Sequence, residues 1–372
     1  MTAHVRLLVG VLLGVLAALW LPATASAKVF EYPTPTPGSL PAGITTGPDG
    51  ALWFTESNRA KIGRITTSGA ISEFSTPTNF PGSITAGPDG ALWFTEGAGS
   101  GKVGRITTDG SVSEFKTPET RIGASPAGIT AGPDGALWYT QYDKIGRLTT
   151  DGSFTEFPLS GTKGAAGITA GPDGALWFAE YLVNKIGRIT TSGTISEFGA
   201  AISPDDITAG PDGALWFIEL GDCFPPCYGA QIGRITTSGA ISHLPLPELV
   251  ESRNPAAITT GPDGALWFTE RGFQNIGEEP HCYTCYEGAQ IGRIKTSGTI
   301  TDFLPLPDDK SQPGGITAGP DGAIWFTEYW TSKIGRIPVI PVAKAQCRHG
   351  GWRDYPQFKN QGQCVAFVER SK

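Results

Sequence analysis

Short apolar stretches separated by tight turns recur along almost the whole chain. Leu52-Trp53-Phe54-Thr55 follows the turn Gly47-Pro48-Asp49-Gly50, and close copies of that turn begin at Gly87, Gly132, Gly171, Gly210, Gly261 and Gly319. Pro-Asp-Gly supplies the backbone angles of a tight turn, whereas the aromatic and branched residues after it favour a strand. Each copy therefore predicts a turn that leads into a strand.

Each repeat contains four such apolar stretches. In the first repeat they are Gly43 to Thr46, Leu52 to Thr55, Ile62 to Ile65 and Ile71 to Phe74. Four short strands in about forty residues is the period of a propeller blade, and no long segment shows the spacing of an amphipathic helix. The sequence thus predicts an all-β fold, a seven-bladed β-propeller of four-stranded blades.

The two ends of the repeat array are complementary. Val29 to Tyr32 resembles the fourth strand Ile71 to Phe74 but has no preceding partner, and the seventh repeat stops after its third strand at Ile337. Pairing the N-terminal strand with the last blade would remove two exposed sheet edges at once. We therefore expect the N-terminal strand to close the ring.

The strand order assigns the connections to two faces of the disc. The Pro-Asp-Gly turns and the Ser/Asp-Gly turns lie on one face, which we call the turn face. The opposite face receives the loops after Glu56 and its equivalents, the insertions after Glu219 and Glu270, and the crossings between blades. We call it the variable face, and irregular loops on a rigid scaffold are where binding or chemistry is usually found.

Residues 1–27 have the features of a cleaved secretory signal peptide. An apolar run from Leu7 to Leu21 follows Arg6 and precedes the small residues Ala25-Ser26-Ala27, and it is shorter than the ~20 residues that span a bilayer. We predict a signal peptide at 1–27, the propeller at 28–343 and a cysteine-bracketed appendage at 344–372. We expect a secreted monomer that has no membrane anchor after cleavage, and the net charge of −7 argues against a nucleic-acid partner.

All six cysteines occur late in the chain. They are Cys223 and Cys227 in the first insertion, Cys282 and Cys285 in the second, and Cys347 and Cys364 in the tail. A four-thiolate zinc site between the two insertions is one interpretation, but an exported protein meets oxidising conditions, which favours disulfides. Cys347 and Cys364 would close a small tail loop, while the pairing within the insertions stays open.

Several polar side chains recur or stand out. A carboxylate ends the second strand of six blades, at Glu56, Glu96, Glu180, Glu219, Glu270 and Glu328, and Gln141 takes its place in the third blade. These side chains could form a cation site, but we favour a structural role in hydrogen bonding within the blades. The third-strand arginines, such as Arg64, should lie opposite the tryptophans and pack on them. We expect His243, His281 and His349 to be solvated, and Asp205 and Asp206 to be a solvated loop pair.

The repeat Gly-Pro-Asp-Gly-Ala-Leu-Trp-Phe-Thr-Glu, followed by Lys-Ile-Gly-Arg-Ile-Thr-Thr-Ser-Gly, resembles the virginiamycin B lyases, also called streptogramin B lyases. The resemblance extends from about Val29 to Ile337. It implies a seven-bladed propeller that linearises a cyclic depsipeptide antibiotic by magnesium-dependent elimination. It also implies that the catalytic residues lie on the variable face.

The chain departs from the family at the positions that the resemblance marks as catalytic. Ala256 and Gly314 stand where the family has histidines, Gln312 replaces a glutamate, Ala42 a tyrosine and Arg271 a tryptophan. Glu328 alone matches, at the family's magnesium-binding glutamate. Elimination needs a base and an acid, and neither Ala256 nor Gly314 can transfer a proton.

These departures favour a non-catalytic binding or interaction module without a cofactor. Its ligand on the variable face, a small molecule, a peptide or a cell-envelope component, is not identified by the sequence. The alternative is an enzyme, either a carbon-oxygen lyase that linearises streptogramin B or another activity on the same face, with Mg²⁺ needed only if lyase activity is retained. The binding candidates are Asp205, Asp206, Glu270, Arg271 and His281. The candidates for the enzyme are Glu270, Glu328, Asp205, Asp206 and His281.

Overall fold

Seven four-stranded antiparallel sheets form the body of the protein. The structure is a computed structural model and describes residues 28–77, 80–97, 99–118, 125–161, 164–199, 202–220, 229–246, 254–275, 285–308, 310–340, 344–355 and 358–370. The first strands of successive blades contact one another, including those of blades 7 and 1, so they form a closed inner ring. The predicted seven-bladed propeller is confirmed.

Strands are numbered in chain order. The N-terminal strand is β1 (Phe30–Pro33); blade 1 contains β2 (Pro41–Thr46), β3 (Leu52–Glu56), β4 (Lys61–Ile65) and β5 (Ile71–Ser75); blade 2 contains β6 (Pro81–Ala86), β7 (Leu92–Glu96), β8 (Lys102–Ile106) and β9 (Val112–Lys116); blade 3 contains β10 (Pro126–Ala131), β11 (Leu137–Gln141), β12 (Lys144–Leu148) and β13 (Phe154–Pro158). Blade 4 contains β14 (Ala165–Ala170), β15 (Leu176–Glu180), β16 (Lys185–Ile189) and β17 (Ile195–Gly199), and blade 5 contains β18 (Pro204–Ala209), β19 (Leu215–Glu219), β20 (Gln231–Ile235) and β21 (Ile241–Pro245). Blade 6 contains β22 (Asn254–Thr260), β23 (Leu266–Arg271), β26 (Gln290–Ile294) and β27 (Ile300–Pro305), with the hairpin β24 (Phe273–Asn275) and β25 (Cys285–Glu287) between its second and third strands; blade 7 contains β28 (Pro313–Ala318), β29 (Ala323–Glu328) and β30 (Lys333–Pro338).

The N-terminal strand closes the ring, as expected. Strand β1 is the fourth strand of blade 7 and pairs antiparallel with β30, with Phe30 opposite Arg336 and Tyr32 opposite Ile334. Tyr32 stacks on Trp325 with ring centroids 5.7 Å apart, and Phe74 stacks on Trp53 in the same way in blade 1. The last blade is therefore built from both ends of the repeat array.

Alternation along the second strand forms the core between blades. Trp53 faces blade 2, where it packs with Leu92 and Phe94, whereas Leu52 and Phe54 face blade 7. The Phe54 ring lies over Gly63, and a β-carbon there would come within 2.1 Å of the ring. The glycine of the third strand thus makes room for the aromatic side chain of the second.

The aspartate of each Pro-Asp-Gly turn braces its blade. Asp49 accepts hydrogen bonds from Trp53 Nε1 at 3.0 Å and Arg64 Nε at 2.6 Å, while Trp53 lies opposite Arg64 in the ladder. Burial alone would raise the pKa of Asp49, but these hydrogen bonds outweigh it and lower the pKa. Arginine over tryptophan was predicted, whereas the ion pair to the turn aspartate, which all seven blades repeat, was not.

The C-terminal appendage contains α1 (Lys344–Cys347), a 3₁₀ turn (Gly351–Asp354) and α2 (Gln361–Arg370). The predicted Cys347–Cys364 disulfide is present and lies in a small core with Tyr355 and Val368. We predicted a separate appendage, yet Gln346 Nε2 donates to the Asp321 carbonyl at 2.8 Å, so it contacts the turn face of blade 7. Across the described parts of the chain, no helix is long and apolar enough to cross a bilayer.

Most of the insertion residues lie outside the described residues. Cys223, Cys227, His281 and Cys282 are among them, so the choice between disulfides and zinc stays a prediction there. Cys285 is described only as a backbone position in β25, where it pairs with Asn275. The hairpin shows that the second insertion extends blade 6 on the variable face.

Candidate functional site

The glutamates that end the second strands lie inside the blades. Each of them, and Gln141, is between 0 and 2% exposed. Burial and the nearby Glu73 raise the pKa of Glu56 to about 8, and Gln290 Nε2 lies 2.5 Å from Glu270 Oε2. Glu270 is therefore a buried side chain and not part of the binding surface, and the same placement favours the structural interpretation of the whole set.

Glu328 follows the same pattern. It is fully buried and accepts a hydrogen bond from Thr331 Oγ1 at 2.9 Å, and burial together with Glu31 raises its pKa to about 7. Magnesium prefers an open set of oxygen ligands with several waters. Among the described residues, no group of three or more histidine, cysteine, aspartate or glutamate side chains is arranged to hold a metal.

His243 is exposed, as expected, and it also contacts a buried glutamate. Its Nδ1 lies 2.9 Å from Glu219 Oε2, inside blade 5. In blade 1 the corresponding third-strand and fourth-strand residues are Lys61 and Glu73, which form an ion pair at 2.5 Å. Blade 5 has Gln231 and His243 at those places, so the nitrogen next to the buried glutamate comes from the fourth strand. The histidine is thus explained by blade structure, and His349 is exposed in the tail.

A threonine of the second strand joins most blades to the next at the inner ring. Thr55 Oγ1 accepts from the Gly43 amide at 2.9 Å and donates to the Gly82 carbonyl of blade 2 at 2.7 Å. The same donation across the seam is made by Thr95, Thr140, Thr269 and Thr327. Blades 4 and 5 have Ala179 and Ile218 instead, so their seams to the next blade lack this hydroxyl.

Asp206 lies at one of these seams. Its Oδ2 accepts a hydrogen bond at 2.8 Å from the amide of Ile258, the first-strand isoleucine of blade 6. Burial raises the pKa of Asp206 to about 7, and the negative charge of Asp205 contributes to this rise. The prediction of a solvated loop pair was wrong, because both aspartates belong to strand β18 and face protein at the inner ring.

Asp205 and Tyr329 both lie near enough to Arg271 to act on its charge, at the variable-face end of blades 5, 6 and 7, which we call the channel mouth. Burial raises the pKa of Asp205, and the positive charge of Arg271 partly offsets that rise. Burial lowers the pKa of Arg271, and the charges of Asp205 and Tyr329 partly offset that decrease. Among the described residues, no side-chain hydrogen bond or close ion pair is made by the Asp205 carboxylate or the Arg271 guanidinium, so the two groups interact through their charges alone.

Arg271 reaches this place because its strand is longer. Strand β23 extends through Arg271, which pairs with Asn254, whereas the second strands of blades 1 to 5 end at the buried glutamate or Gln141. The sequence showed the arginine but not its neighbours. Asp205 in β18 and Tyr329, directly after β29, are far apart in sequence, and only the closed ring brings each of them near Arg271.

Exposed aromatic and aliphatic side chains lie on the variable face. Trp330 is 50% exposed, donates from Nε1 to Gln312 Oε1 at 2.8 Å and meets Tyr329 edge-on. All large hydrophobic side chains that are exposed among the described residues lie on the variable face: Phe80, Tyr142, Tyr181, Leu182, Ile202 and Trp330. Sequence reasoning missed this set, although each member lies within two residues of the end of a second strand or the start of a first strand.

Gly164 brings part of this set together. Its amide donates to the Tyr142 carbonyl at 2.9 Å and its own carbonyl accepts from the Tyr181 amide at 3.1 Å. It has a φ of +61°, and a β-carbon there would come within 2.6 Å of the Tyr181 ring and 2.8 Å of Leu182. The exposed side chains of blades 3 and 4 are thus neighbours and form one patch.

The remaining positions singled out in the sequence carry no polar chemistry at the mouth, Gln312 excepted. The Ala42 carbonyl accepts from Thr327, and the Gly314 carbonyl accepts from Thr269 at 2.8 Å. Ala256 lies in the bulge between Pro255 and Ala257 in β22. Ala42, Ala256 and Gly314 thus contribute backbone to the inner ring and no group that transfers protons.

Comparison with known proteins gives one family. A sequence model described as the virginiamycin B lyase family matches residues 22–163, 81–282 and 278–342. A solved streptogramin B lyase structure is 38% identical with a TM-score of 0.71, and the alignment covers 83% of this chain and 96% of that one.

Two structures of virginiamycin B lyase from Staphylococcus aureus are also similar. The selenomethionine form is 35% identical, with a TM-score of 0.72 and coverage of 84% of this chain and 99% of that one. A catalytically inactive histidine-to-alanine variant with quinupristin is 36% identical, with the same TM-score and coverage.

Proposed function

Because this chain belongs to the virginiamycin B lyase family, we propose that it is a non-catalytic member that binds a ligand at the channel mouth. The concentration of every large exposed hydrophobic side chain of the described residues on the variable face carries this proposal. Contiguous apolar surface rimmed by polar groups is typical of a ligand or partner site. The turn face, in contrast, presents the repeated polar turns.

The absence of proton-transfer groups at the corresponding positions supports binding without turnover. Ala42, Ala256 and Gly314 offer only backbone atoms, and Arg271 is a poor base because a guanidinium keeps its proton at neutral pH. A positioned acid or base contributes roughly 10²–10⁴-fold to such a reaction. Loss of both groups would leave the rate near that of the uncatalysed reaction.

An enzyme that uses other residues is the second candidate, and Asp206 is the observation that favours it. A carboxyl with a pKa of about 7 beside the channel mouth can act as an acid or a base at neutral pH. The Ile258 hydrogen bond fixes its position. Against this candidate, the same bond explains Asp206 as a replacement for the missing seam hydroxyl.

Secretion and a monomeric state belong to the same proposal. The Cys347–Cys364 disulfide supports an oxidising compartment, because such bonds are rare in reducing ones. Pairing of β1 with β30 covers the third strand of blade 7, which would otherwise be an exposed edge available for pairing with another copy. A soluble small molecule, a peptide or a cell-envelope fragment would reach the variable face of such a protein.

The test separates binding from turnover. Purified protein is incubated with a streptogramin B and magnesium, and the linear product is sought by mass spectrometry, with an active lyase of the family as the positive control. We expect no product above background. Turnover that Asp206→Asn abolishes and Asp205→Asn preserves would establish the enzyme instead. In parallel, a thermal-shift screen of amino acids, peptides and cell-wall fragments should give hits that Trp330→Ala weakens.

A further inference from the structure

We propose that a cavity on the turn face, between blade 7, blade 1 and the C-terminal appendage, binds a small sugar derivative that carries an oxyanion. The cavity has a volume of about 470 Å³. Thr67 and Ser68 of blade 1, Arg336 of blade 7 and Gln346 of the appendage all contribute to its walls. The cavity lies on the face opposite the variable face, so the inference is independent of the proposed binding function.

The appendage encloses one side of this cavity. Gln346 Nε2 donates to the Asp321 carbonyl at 2.8 Å, which fixes α1 over the Pro-Asp-Gly turn of blade 7. The Arg336 side chain is 12% exposed, whereas that of Arg147, at the same place in blade 3, is 24% exposed. Both arginines form the ion pair to the aspartate of their own turn. The surroundings of Arg336 are therefore more enclosed than those of its counterpart.

Arg336 supplies the cationic group of the cavity. Its Nε donates to Asp321 Oδ2 at 2.7 Å, and its guanidinium lies 5.6 Å from the Phe30 ring centroid. In blade 6, Arg293 Nη1 also donates to Thr301 Oγ1 at 2.7 Å, but in blade 7 the fourth-strand residue opposite the arginine is Phe30, which has no hydroxyl. Among the described residues, Arg336 donates side-chain hydrogen bonds to Asp321 alone. A guanidinium has five N–H groups, so some of them are available to a ligand.

The charges around the cavity favour an anion. Among the described residues that line it, Asp321 is the only acidic one, and its carboxylate already accepts hydrogen bonds from Trp325 Nε1 at 3.0 Å and from Arg336. The appendage adds an excess of positive charge, since its six basic residues outnumber Asp354 and Glu369; they are Lys344, Arg348, Arg353, Lys359, Arg370 and Lys372. A carboxylate or phosphate oxygen can thus bind the guanidinium by a charge-assisted hydrogen bond without meeting an unpaired carboxylate.

The rest of the lining suits a hydroxylated ligand. Thr67 makes no side-chain hydrogen bond to any residue that the structure describes, and the Ser68 hydroxyl is bonded to that of Thr66 at 2.9 Å. Gly50 and Pro320 complete the lining, which therefore contains no large hydrophobic side chain. A volume of about 470 Å³ is within the range of small-molecule sites and exceeds what a single inorganic anion fills. An oxyanion attached to a sugar ring matches both the arginine and the hydroxyls.

Isothermal titration at pH 7 and low salt with three compounds tests the inference. D-glucuronate carries a carboxylate, D-glucose 6-phosphate carries a phosphate, and D-glucose carries neither. We expect at least one of the two anions to bind at least about tenfold more tightly than D-glucose, since one charge-assisted contact is worth about that factor. The anion that binds more tightly shows which oxyanion the site takes. Equal affinities for all three compounds, or no binding by any of them, would overturn the inference.

Ser68→Asp shows whether the anion binds in this cavity. Blades 2 and 3 have Asp109 and Asp151 at the corresponding turn position, where each accepts a hydrogen bond from a threonine as Ser68 pairs with Thr66, so the fold tolerates the change. The added negative charge should weaken anion binding at least about tenfold by repulsion. Ser192→Asp, the same change in the turn of blade 4, is the matched control and should leave the affinity unchanged.

A second pair of variants tests the guanidinium. Arg336→Gln should remove the preference for the anion over D-glucose, whereas Arg147→Gln, which removes the equivalent ion pair of blade 3, should retain it. Unchanged affinity in Ser68→Asp, or equal losses in Ser68→Asp and Ser192→Asp, would overturn the inference. Trp330→Ala should not alter these affinities, so the result does not depend on the outcome of the screen for ligands of the variable face.

Discussion

The carboxylate of Asp206 in blade 5 accepts a hydrogen bond of 2.8 Å from the backbone amide of Ile258 in blade 6. Five other seams are bridged by a threonine hydroxyl, but Ile218 cannot supply one here. A carboxylate from the first strand thus links the blades where the second strand cannot. The closed ring depends on every seam, so this contact has a structural role independent of any ligand.

Removal of that carboxylate should weaken the ring. Asp206→Ala leaves the Ile258 amide without its partner, which should lower the free energy of unfolding by about 1–3 kcal/mol near pH 6. Urea denaturation followed by tryptophan fluorescence measures the change. Asp205→Ala, which removes the neighbouring but unbonded carboxyl, is the matched control and should have little effect. Equal losses for the two variants would argue against the seam role.

The blade structure could be predicted because the repeat determines it. The strands and their pairing followed from the Pro-Asp-Gly turns and from the alternation of Leu52, Trp53 and Phe54. Ring closure followed from the likeness of Tyr32 to Phe74. Burial of the glutamates was less apparent, because a charged residue at a strand end usually faces solvent. Here the loop that follows Glu56 and the neighbouring Lys61 and Glu73 enclose it.

The candidate site was harder to predict because it lies outside the repeat. Asp205 and Arg271 are single departures in their blades, Tyr329 occupies a position that varies between blades, and only the curved ring brings Asp205 and Tyr329 near Arg271. Asp206 was misinterpreted for a related reason. Its partner Ile258 is 52 residues away and donates through its backbone, which leaves no trace in side-chain patterns.

Glu56 should make stability fall as the pH rises. Its pKa is raised from 4.5 to about 8 in the folded state by burial and by Glu73, so between these values the folded state holds a proton that the unfolded state has lost. The stabilising effect of that proton is complete below pH 4.5 and disappears as the pH approaches 8. The slope is about 1.4 kcal/mol per pH unit at its steepest.

Exchanging this residue with its counterpart in blade 3 tests the effect. Glu56→Gln should gain stability relative to the unmodified protein between pH 5 and pH 8, while Gln141→Glu should lose stability over the same range. Urea unfolding at three pH values within that range measures both. Parallel stability curves for all three proteins would show that the buried glutamate is not protonated preferentially in the folded state.

The tail disulfide should stabilise the appendage without stabilising the propeller. Cys347 and Cys364 enclose a loop with a sequence separation of 17, for which the chain-entropy model gives about 3 kcal/mol. The double variant Cys347→Ser with Cys364→Ser should therefore be cut by trypsin within residues 344–370 but keep the thermal midpoint of the propeller. A midpoint lowered by several degrees would show that the Gln346 contact to Asp321 couples the two parts strongly.

The N-terminal strand should be needed for ring stability. A chain that lacks residues 28–35 loses the β1 ladder and the Tyr32 ring on Trp325, which leaves β30 as an exposed edge. We expect its free energy of unfolding to fall by several kcal/mol, because the stabilisation from a buried aromatic side chain is lost together with that from a paired strand.

Point variants show whether the deletion destabilises the protein because the ring is no longer closed by β1 or only because residues are missing. Tyr32→Ala should destabilise the protein by about as much as Phe74→Ala, roughly 2–4 kcal/mol, because both rings stack on the tryptophan of their own blade. Phe30→Ala serves as a second comparison, since Phe30 lies under Arg336 at 5.6 Å and a cation–π contact is worth less. Differential scanning calorimetry of the four proteins measures these effects. An unchanged midpoint for both the truncated chain and Tyr32→Ala would mean that the ring is held without its N-terminal strand.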